Sequence, residues 1–241
     1  MKPHLSVVIP AYNEALRLKK TLPEILSYFN HQQYTREIII VNDGSIDQTK
    51  AVVSQLTLRH QNVKFIHLSK NSGKGAAIRA GVLSSTADWV LFMDADLSTP
   101  LSQLEKFWPH TSTHPIVIGS RKIKGANIKR HQSWLRENLG KVFTILTNTI
   151  ATRGISDITC GFKLFKGSAA RALFAQSVLS DWSFDAEILY LAQKNHLPIK
   201  EIPVIWKNDP RTKVNMFKDG YRALLGLIKI RLNDLSGLYT P

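Results

Sequence analysis

Four short apolar runs, Leu5–Ile9, Glu37–Val41, Val63–Leu68 and Trp89–Met93, constrain this chain more than any other feature. Each is about the length of a strand buried on both faces of a parallel sheet. Between them lie segments with helical periodicity, and the β-α-β-α alternation predicts a doubly wound α/β fold. In such sheets ligands bind beyond the carboxyl ends of the strands, so the residues that follow each run carry the functional information. After the first run Pro10 is expected to stop the strand. Ala11-Tyr12-Asn13-Glu14 then leads into a helix with Leu16, Leu18, Leu22, Ile25, Leu26 and Phe29 on its apolar side. The second run ends in the turn Asn42-Asp43-Gly44-Ser45, with Asp47 set to cap a helix carrying Val52, Val53 and Leu56. The third leads to Asn71-Ser72-Gly73-Lys74-Gly75 and an alanine-rich helix, and the fourth ends in Asp94-Ala95-Asp96.

Residues i and i+2 of an extended segment point the same way. Asp94 and Asp96 could therefore converge on one hard cation, and that cation on a diphosphate. Taken alone, the same tripeptide equally describes a strand ending in a solvated turn. The Gly73-Lys74-Gly75 turn matches neither a P-loop nor a dinucleotide fingerprint. Delivery of Glu14, Asp43, Lys74, Asp94 and Asp96 to one sheet edge is a stronger signal than any single motif.

At 241 residues the chain is long enough for one large α/β domain or for a domain plus an appendage. Its single cysteine, Cys160, excludes an internal disulfide framework and reads as a small core residue. No leader precedes the first strand, and no apolar run approaches the ~18 residues of a spanning helix. The expectation is therefore a cytoplasmic protein. Charge is uneven: 12 Lys and Arg face 9 Asp and Glu in residues 1–120, against 20 and 9 in residues 121–241. The second half is thus expected to meet something anionic, such as a phosphate-bearing substrate, a membrane surface or nucleic acid.

Val7-Val-Ile-Pro10-Ala-Tyr12-Asn-Glu14, Val41-Asn-Asp43-Gly-Ser, Asn71-Ser-Gly-Lys74-Gly and Asp94-Ala-Asp96, in this order, resemble the inverting family 2 glycosyltransferases of the GT-A fold. In the second half, Gly119-Ser-Arg121, Trp134-Leu-Arg136, Ser156-Asp157-Ile-Thr-Cys-Gly-Phe-Lys-Leu-Phe165, Trp182-Ser-Phe-Asp185-Ala-Glu187 and Thr212-Lys213-Val resemble the polyprenyl-phosphate (dolichyl-phosphate) glucosyltransferases. The resemblance implies a Rossmann-like, mostly parallel sheet in one glycosyltransferase domain, with a donor half at 1–120, an acceptor half at 121–241 and C-terminal amphipathic helices. It implies glucose transfer from UDP-glucose to a polyprenyl phosphate, dependent on Mg²⁺ or Mn²⁺. Pro10, Ala11, Tyr12, Glu14, Asp43, Lys74 and Asp94 would then hold the donor, with Lys213 on its phosphates and Asp94 and Asp96 on the metal. Arg121 and Arg136 would take the acceptor phosphate bidentately. Asp157 and Asp185 would orient sugar hydroxyls, stabilise positive charge or act as base, although Asp185 also reads as a carboxylate favoured by a helix N-terminus.

The chain departs from the family pattern in two places. Eukaryotic relatives begin with a membrane-spanning helix, and mannosyl relatives have Gln where this chain has Ser98. The first leaves peripheral attachment at the membrane, and the second disfavours GDP-mannose as donor. Two helices can meet a bilayer. One, Ser133 to about Ala151, carries a stripe of Leu135, Leu139, Val142, Phe143, Leu146 and Ile150 that packing on the sheet explains equally well. The other, Met216 to Leu235, has Phe217, Tyr221, Leu224, Leu225, Ile228, Leu232 and Leu235 on one face, flanked by Lys218, Arg222, Lys229 and Arg231. Other readings are transfer to a saccharide hydroxyl and a non-enzymatic basic protein on membrane or nucleic acid. No nucleic-acid motif appears, so nucleic acid is not an expected partner; a homo-oligomer is left open.

Overall fold

The structure, a computed structural model, describes residues 2–209 and 216–240, without the side chains of residues 216–219. Lys213 and Thr212 lie outside the described residues. The chain divides into two compact units, Met1–Leu97 with Gly161–Ala175 and Ser98–Cys160 with Gln176–Pro241. The first unit is therefore discontinuous in sequence, breaking after Leu97 and taking in Gly161–Ala175.

In the first unit β1 (Leu5–Ala11), α1 (Ala15–Asn30), β2 (Arg36–Asp43), α2 (Thr49–Thr57), β3 (Val63–Leu68), α3 (Lys74–Ser84) and β4 (Trp89–Met93) alternate as the apolar runs predict. The strands β3-β2-β1-β4 are parallel neighbours in that order. Val7, Val8, Ile9, Ile38 to Val41 and Val90 to Met93 are all buried, as double-sided packing requires. α3 lies close on this sheet: a Cβ at Gly81 would come within 2.4 Å of Val8 Cγ1. Pro10 does not end β1, which runs on to Ala11. Pairing with β4 stops at Val8 opposite Phe92, so at Pro10 the strand has a neighbour on one side only, the edge condition under which a ladder tolerates proline. Leu16, placed on the apolar side of α1 by periodicity, is 80% exposed.

The sheet of this unit is completed by a strand the alternation does not announce. After Gly161 the chain returns as β7 (Phe162–Lys166), antiparallel to β4 with Met93 opposite Phe162, and then forms α5 (Gly167–Gln176). Lys163 is fully buried here, its Nζ 5.2 Å from the centre of the Phe92 ring.

In the second unit β5 (Ile116–Ser120) pairs in parallel with β8 (Ile199–Pro203), and β6 (Asn127–Arg130) with β9 (Ile205–Lys207). Its helices are α4 (Trp134–Ile150), α6 (Phe184–Lys194) and α7 (Met216–Leu235). α6 is the core helix, buried at every position from Phe184 to Ala192. α4 is the opposite. Only Thr147 is buried, so the apolar stripe that core packing could have explained lies open. α7 packs through Ala223, Leu227 and Ile230 and through Gly226, where a Cβ would fall 1.9 Å from Ser183 Oγ. The stripe of Tyr221, Leu224, Leu225, Ile228 and Leu232 is therefore the face left outside, as expected. Of the flanking cations, Arg231 folds back over the Tyr190 ring and Lys218 has no described side chain. No helix among the described residues is long and apolar enough to cross a membrane.

Candidate active site

Strand order 3-2-1-4 places a topological switch between β1 and β4, where doubly wound sheets bind ligands. Pro10 and Ala11 end one of these strands and lead into Tyr12–Glu14, and Asp94–Asp96 follows the other. The loop after β1 is pinned by groups of the segment that follows β2. Asn13, at φ 51°, donates its N–H to Ser45 Oγ, and its own Oδ1 accepts the Ile46 N–H. The Glu14 N–H donates to Thr49 Oγ1, while the Glu14 carboxylate pairs with Arg17 at 2.5 Å. Asp47 accepts the N–H of Thr49 at 2.9 Å and that of Ala15 at 3.2 Å, so one carboxylate serves the starts of α2 and α1 together. Tyr12 and Glu14 remain part-exposed, whereas Ala11 is buried.

Asp43 is 3% exposed and its two carboxylate oxygens accept the N–H groups of Ser72 (2.7 Å) and Gly73 (2.9 Å). Burial pushes its carboxyl up, against these bonds, which favour the charged form. Asp43 thus sets the turn that delivers Lys74, and Gly44 makes room for it: at φ +62°, a Cβ there would sit 2.3 Å from the Lys70 carbonyl carbon. Lys74 Nζ then reaches Asp94 Oδ1 at 2.6 Å, joining residues from two strand ends. The Asp94 carboxylate lies against Gly161, where a Cβ would come within 2.0 Å of Oδ2.

The strand ends at Met93, and Ala95 and Asp96 lie in a turn, so strand alternation does not bring Asp94 and Asp96 to one side. Asp94 is committed to Lys74. Among the described residues no group of three or more His, Cys, Asp or Glu surrounds a point that could hold a metal. Mg²⁺ is often held by one or two carboxylates with substrate phosphates supplying the other oxygens, and the Asp94–Asp96 turn fits that partial role.

The second unit holds the other predicted residues. Arg121, just beyond β5, forms a bidentate pair with Asp157, Nε to Oδ2 and Nη2 to Oδ1 both at 2.7 Å. Its backbone N–H also reaches Oδ2, and Nη2 reaches Thr159 Oγ1. The guanidinium lies 5.2 Å from the Trp206 ring centre. Asp157 is completely buried; burial alone would raise its carboxyl, but the adjacent Arg121 charge and hydrogen bonds hold it below the usual carboxylate range. Arg136, near the start of α4, is lowered by burial and then by repulsion from Arg121, so the two cations share one electrostatic environment. Lys122 donates to Gly140 O and Thr144 Oγ1 of α4, and burial lowers its ammonium. Asp185 is buried in the first turn of α6, where the helix dipole favours a carboxylate.

Sequence reasoning missed two groups that organise this unit. Glu201 on β8 accepts the N–H groups of Ser156 (2.9 Å) and Asp157 (3.0 Å). Glu187 is fully buried and accepts the N–H groups of Val178 and Leu179 and the Tyr239 hydroxyl. The buried position of Glu187 on an otherwise apolar helix face was the available signal for it; a strand-edge glutamate such as Glu201 carries none.

Comparison with known proteins agrees with this layout. Residues 6–174 match the glycosyl transferase family 2 profile. A dolichyl-phosphate beta-glucosyltransferase of Homo sapiens is 37% identical over 98% of this chain and 77% of its own length, and one of Dictyostelium discoideum 33% over 98% and 76%. Among solved structures, mannosyl-3-phosphoglycerate synthase from Rubrobacter xylanophilus superposes with a TM-score of 0.70 at 16% identity, covering 98% of this chain and 75% of that one. Glucosyl-3-phosphoglycerate synthase from Mycobacterium tuberculosis, in complex with Mn²⁺, UDP-glucose and phosphoglyceric acid, gives 0.68 at 13% identity over 95% and 79%. These neighbours share the mostly parallel GT-A fold. With that fold, the profile match and near-full-length relatives in hand, the chain is a glycosyltransferase belonging to glycosyl transferase family 2.

Proposed function

We propose that this enzyme transfers glucose from UDP-glucose to a polyprenyl phosphate such as dolichyl phosphate, with inversion at the anomeric carbon. The observation that carries this reading is the alignment of 98% of the chain with dolichyl-phosphate beta-glucosyltransferases. Pro10 to Glu14, Asp43, Lys74 and Asp94 take the nucleotide sugar, and Lys213, outside the described residues, joins them at its phosphates. Asp96, with Asp94 beside it, would hold Mg²⁺ or Mn²⁺, and the ion would supply positive charge to the leaving diphosphate.

The acceptor is a phosphate monoester whose second pKa is about 6, so it is largely dianionic at neutral pH and needs no strong base. Arg121 and Arg136 position it. One phosphate oxygen forms the new bond to the anomeric carbon as the bond to the UDP oxygen breaks, and UDP leaves with the electron pair. Asp185, buried in the first turn of α6 where the helix dipole favours a carboxylate, suits a role beside the sugar hydroxyls or the developing positive charge. The lipid acceptor calls for a membrane surface, and this reading places the enzyme at the cytoplasmic face. The exposed stripes of α4 and α7 provide apolar contact, and Lys141, Arg222 and Lys229 provide charge.

A donor and acceptor panel tests the proposal. Purified enzyme with Mg²⁺ should form butanol-extractable labelled lipid from UDP-glucose and dolichyl phosphate, and lose that activity in EDTA. Product from GDP-mannose alone would refute the donor. Product on a soluble saccharide but not on lipid phosphate would refute the acceptor.

A further inference from the structure

Arg121 is held by a chain of two carboxylates. Glu201 accepts two successive backbone N–H groups, those of Ser156 and Asp157, and so fixes the segment from which the Asp157 side chain leaves. Asp157 in turn accepts from Nε, Nη2 and the backbone N–H of Arg121, which determines both the plane and the edge the guanidinium presents. The guanidinium carbon lies over the Trp206 ring, 5.2 Å from its centre. We propose that Glu201 and Asp157 are positioning residues, a two-step scaffold whose function is to aim Arg121 at the acceptor phosphate. The proposal rests on the acceptor reading of Arg121 given above and assigns Glu201 a role that sequence reasoning did not reach.

The alternative for Asp157 is general base. A base must exchange a proton with substrate, and Asp157 is sealed from solvent with both oxygens on Arg121. Glu201 is part-exposed, and its two oxygens are matched one to one with N–H donors. A glutamine there would place an amide N–H₂ against one of those donors. The segment would shift without any change in core volume, and the guanidinium would follow.

The test combines kinetics with a substrate-free probe. In the full chain labelled with ¹⁵N, the Arg121 Nε–Hε proton should exchange slowly with water, assigned by its disappearance in Arg121→Lys. Glu201→Gln and Asp157→Asn should both speed that exchange. Glu201→Gln should also raise KM for dolichyl phosphate about tenfold with little change in KM for UDP-glucose, and should add nothing in an Arg121→Ala background. Unchanged exchange in Glu201→Gln overturns the scaffold whatever the kinetics. Faster exchange with an unchanged lipid KM, while Arg121→Ala does raise it, overturns the positioning role alone. If Arg121→Ala also leaves the lipid KM unchanged, the acceptor assignment falls and the positioning role falls with it. Should Asp157→Asn fail to fold, Glu201→Gln decides the matter alone.

Discussion

Gly161→Ala should separate the donor site from the fold. A Cβ at this position would lie 2.0 Å from Asp94 Oδ2, 2.5 Å from Cγ and 2.9 Å from Oδ1, while Gly161 itself is not among the glycines with positive φ. The backbone therefore accepts alanine and the strain falls on one carboxylate. To reach ordinary contact the carboxylate must swing by more than about 1 Å, which breaks its 2.6 Å pair with Lys74. A charge-assisted bond of this kind contributes roughly 1.5–3 kcal/mol. Asp94 is 38% exposed, so screening puts the stability cost at about 1 kcal/mol or less. Loss of the same bond to the donor-bound state should lower kcat/KM for UDP-glucose by roughly 10- to 100-fold. Steady-state kinetics with UDP-glucose varied, read beside a thermal melt, measures both. Gly140→Ala is the control: it sits within α4 with nothing within 4 Å of a Cβ, and should raise stability by about 0.5–1 kcal/mol. Wild-type donor kinetics in Gly161→Ala would refute the role of the Lys74–Asp94 pair, and a collapse of the melt would show that Gly161 serves the fold instead.

Three further outcomes are expected. Burial raises the Glu187 carboxyl above its ordinary 4.5, so the stability it contributes is complete below that value and is lost as pH rises through the folded pKa. The melting difference between wild type and Glu187→Gln should therefore favour wild type more at about pH 4 than at about pH 8, and a difference independent of pH would contradict the assignment. Gly226→Ala, which drives a methyl into Ser183 Oγ at 1.9 Å, should destabilise the protein by about 1–3 kcal/mol, checked by urea unfolding. Replacing Leu139, Val142 and Ile145 of α4 by Ser should reduce co-sedimentation with anionic vesicles without lowering the melt, because all three are exposed; unchanged sedimentation would remove α4 from the membrane contact.

The elements that packed as the sequence predicts are those whose pattern is local. β1 to β4 announce themselves as continuous apolar runs, and the α7 bounds, Met216–Leu235, follow from one periodic stripe. What periodicity cannot say is which side of a helix meets the protein. On α7 the packing face is marked by small residues, Ala223 and Gly226, which a count of large hydrophobics passes over. On α4 the apolar stripe is real yet open. β7, Phe162–Lys166, was illegible because its partner β4 lies far away in sequence and its lysines break the apolar run. The residue types of the proposed donor site are legible at the strand ends, but not their pairings. Asp43 clamps the turn before Lys74, and Lys74 crosses to Asp94; both contacts exist only once parallel strands are in register. Asp157 stands in a block that the family resemblance singles out, whereas its buried pairing with Arg121 depends on two segments that only the fold joins.

The most direct test of the account is the product itself. Enzyme, UDP-glucose labelled at the anomeric carbon and dolichyl phosphate should yield one lipid-linked sugar. The anomeric carbon–proton coupling of that product should report a β-linked glucosyl phosphate, as inversion by an attacking phosphate oxygen requires. An α-linked product, or release of free glucose with no lipid-linked sugar, would contradict it.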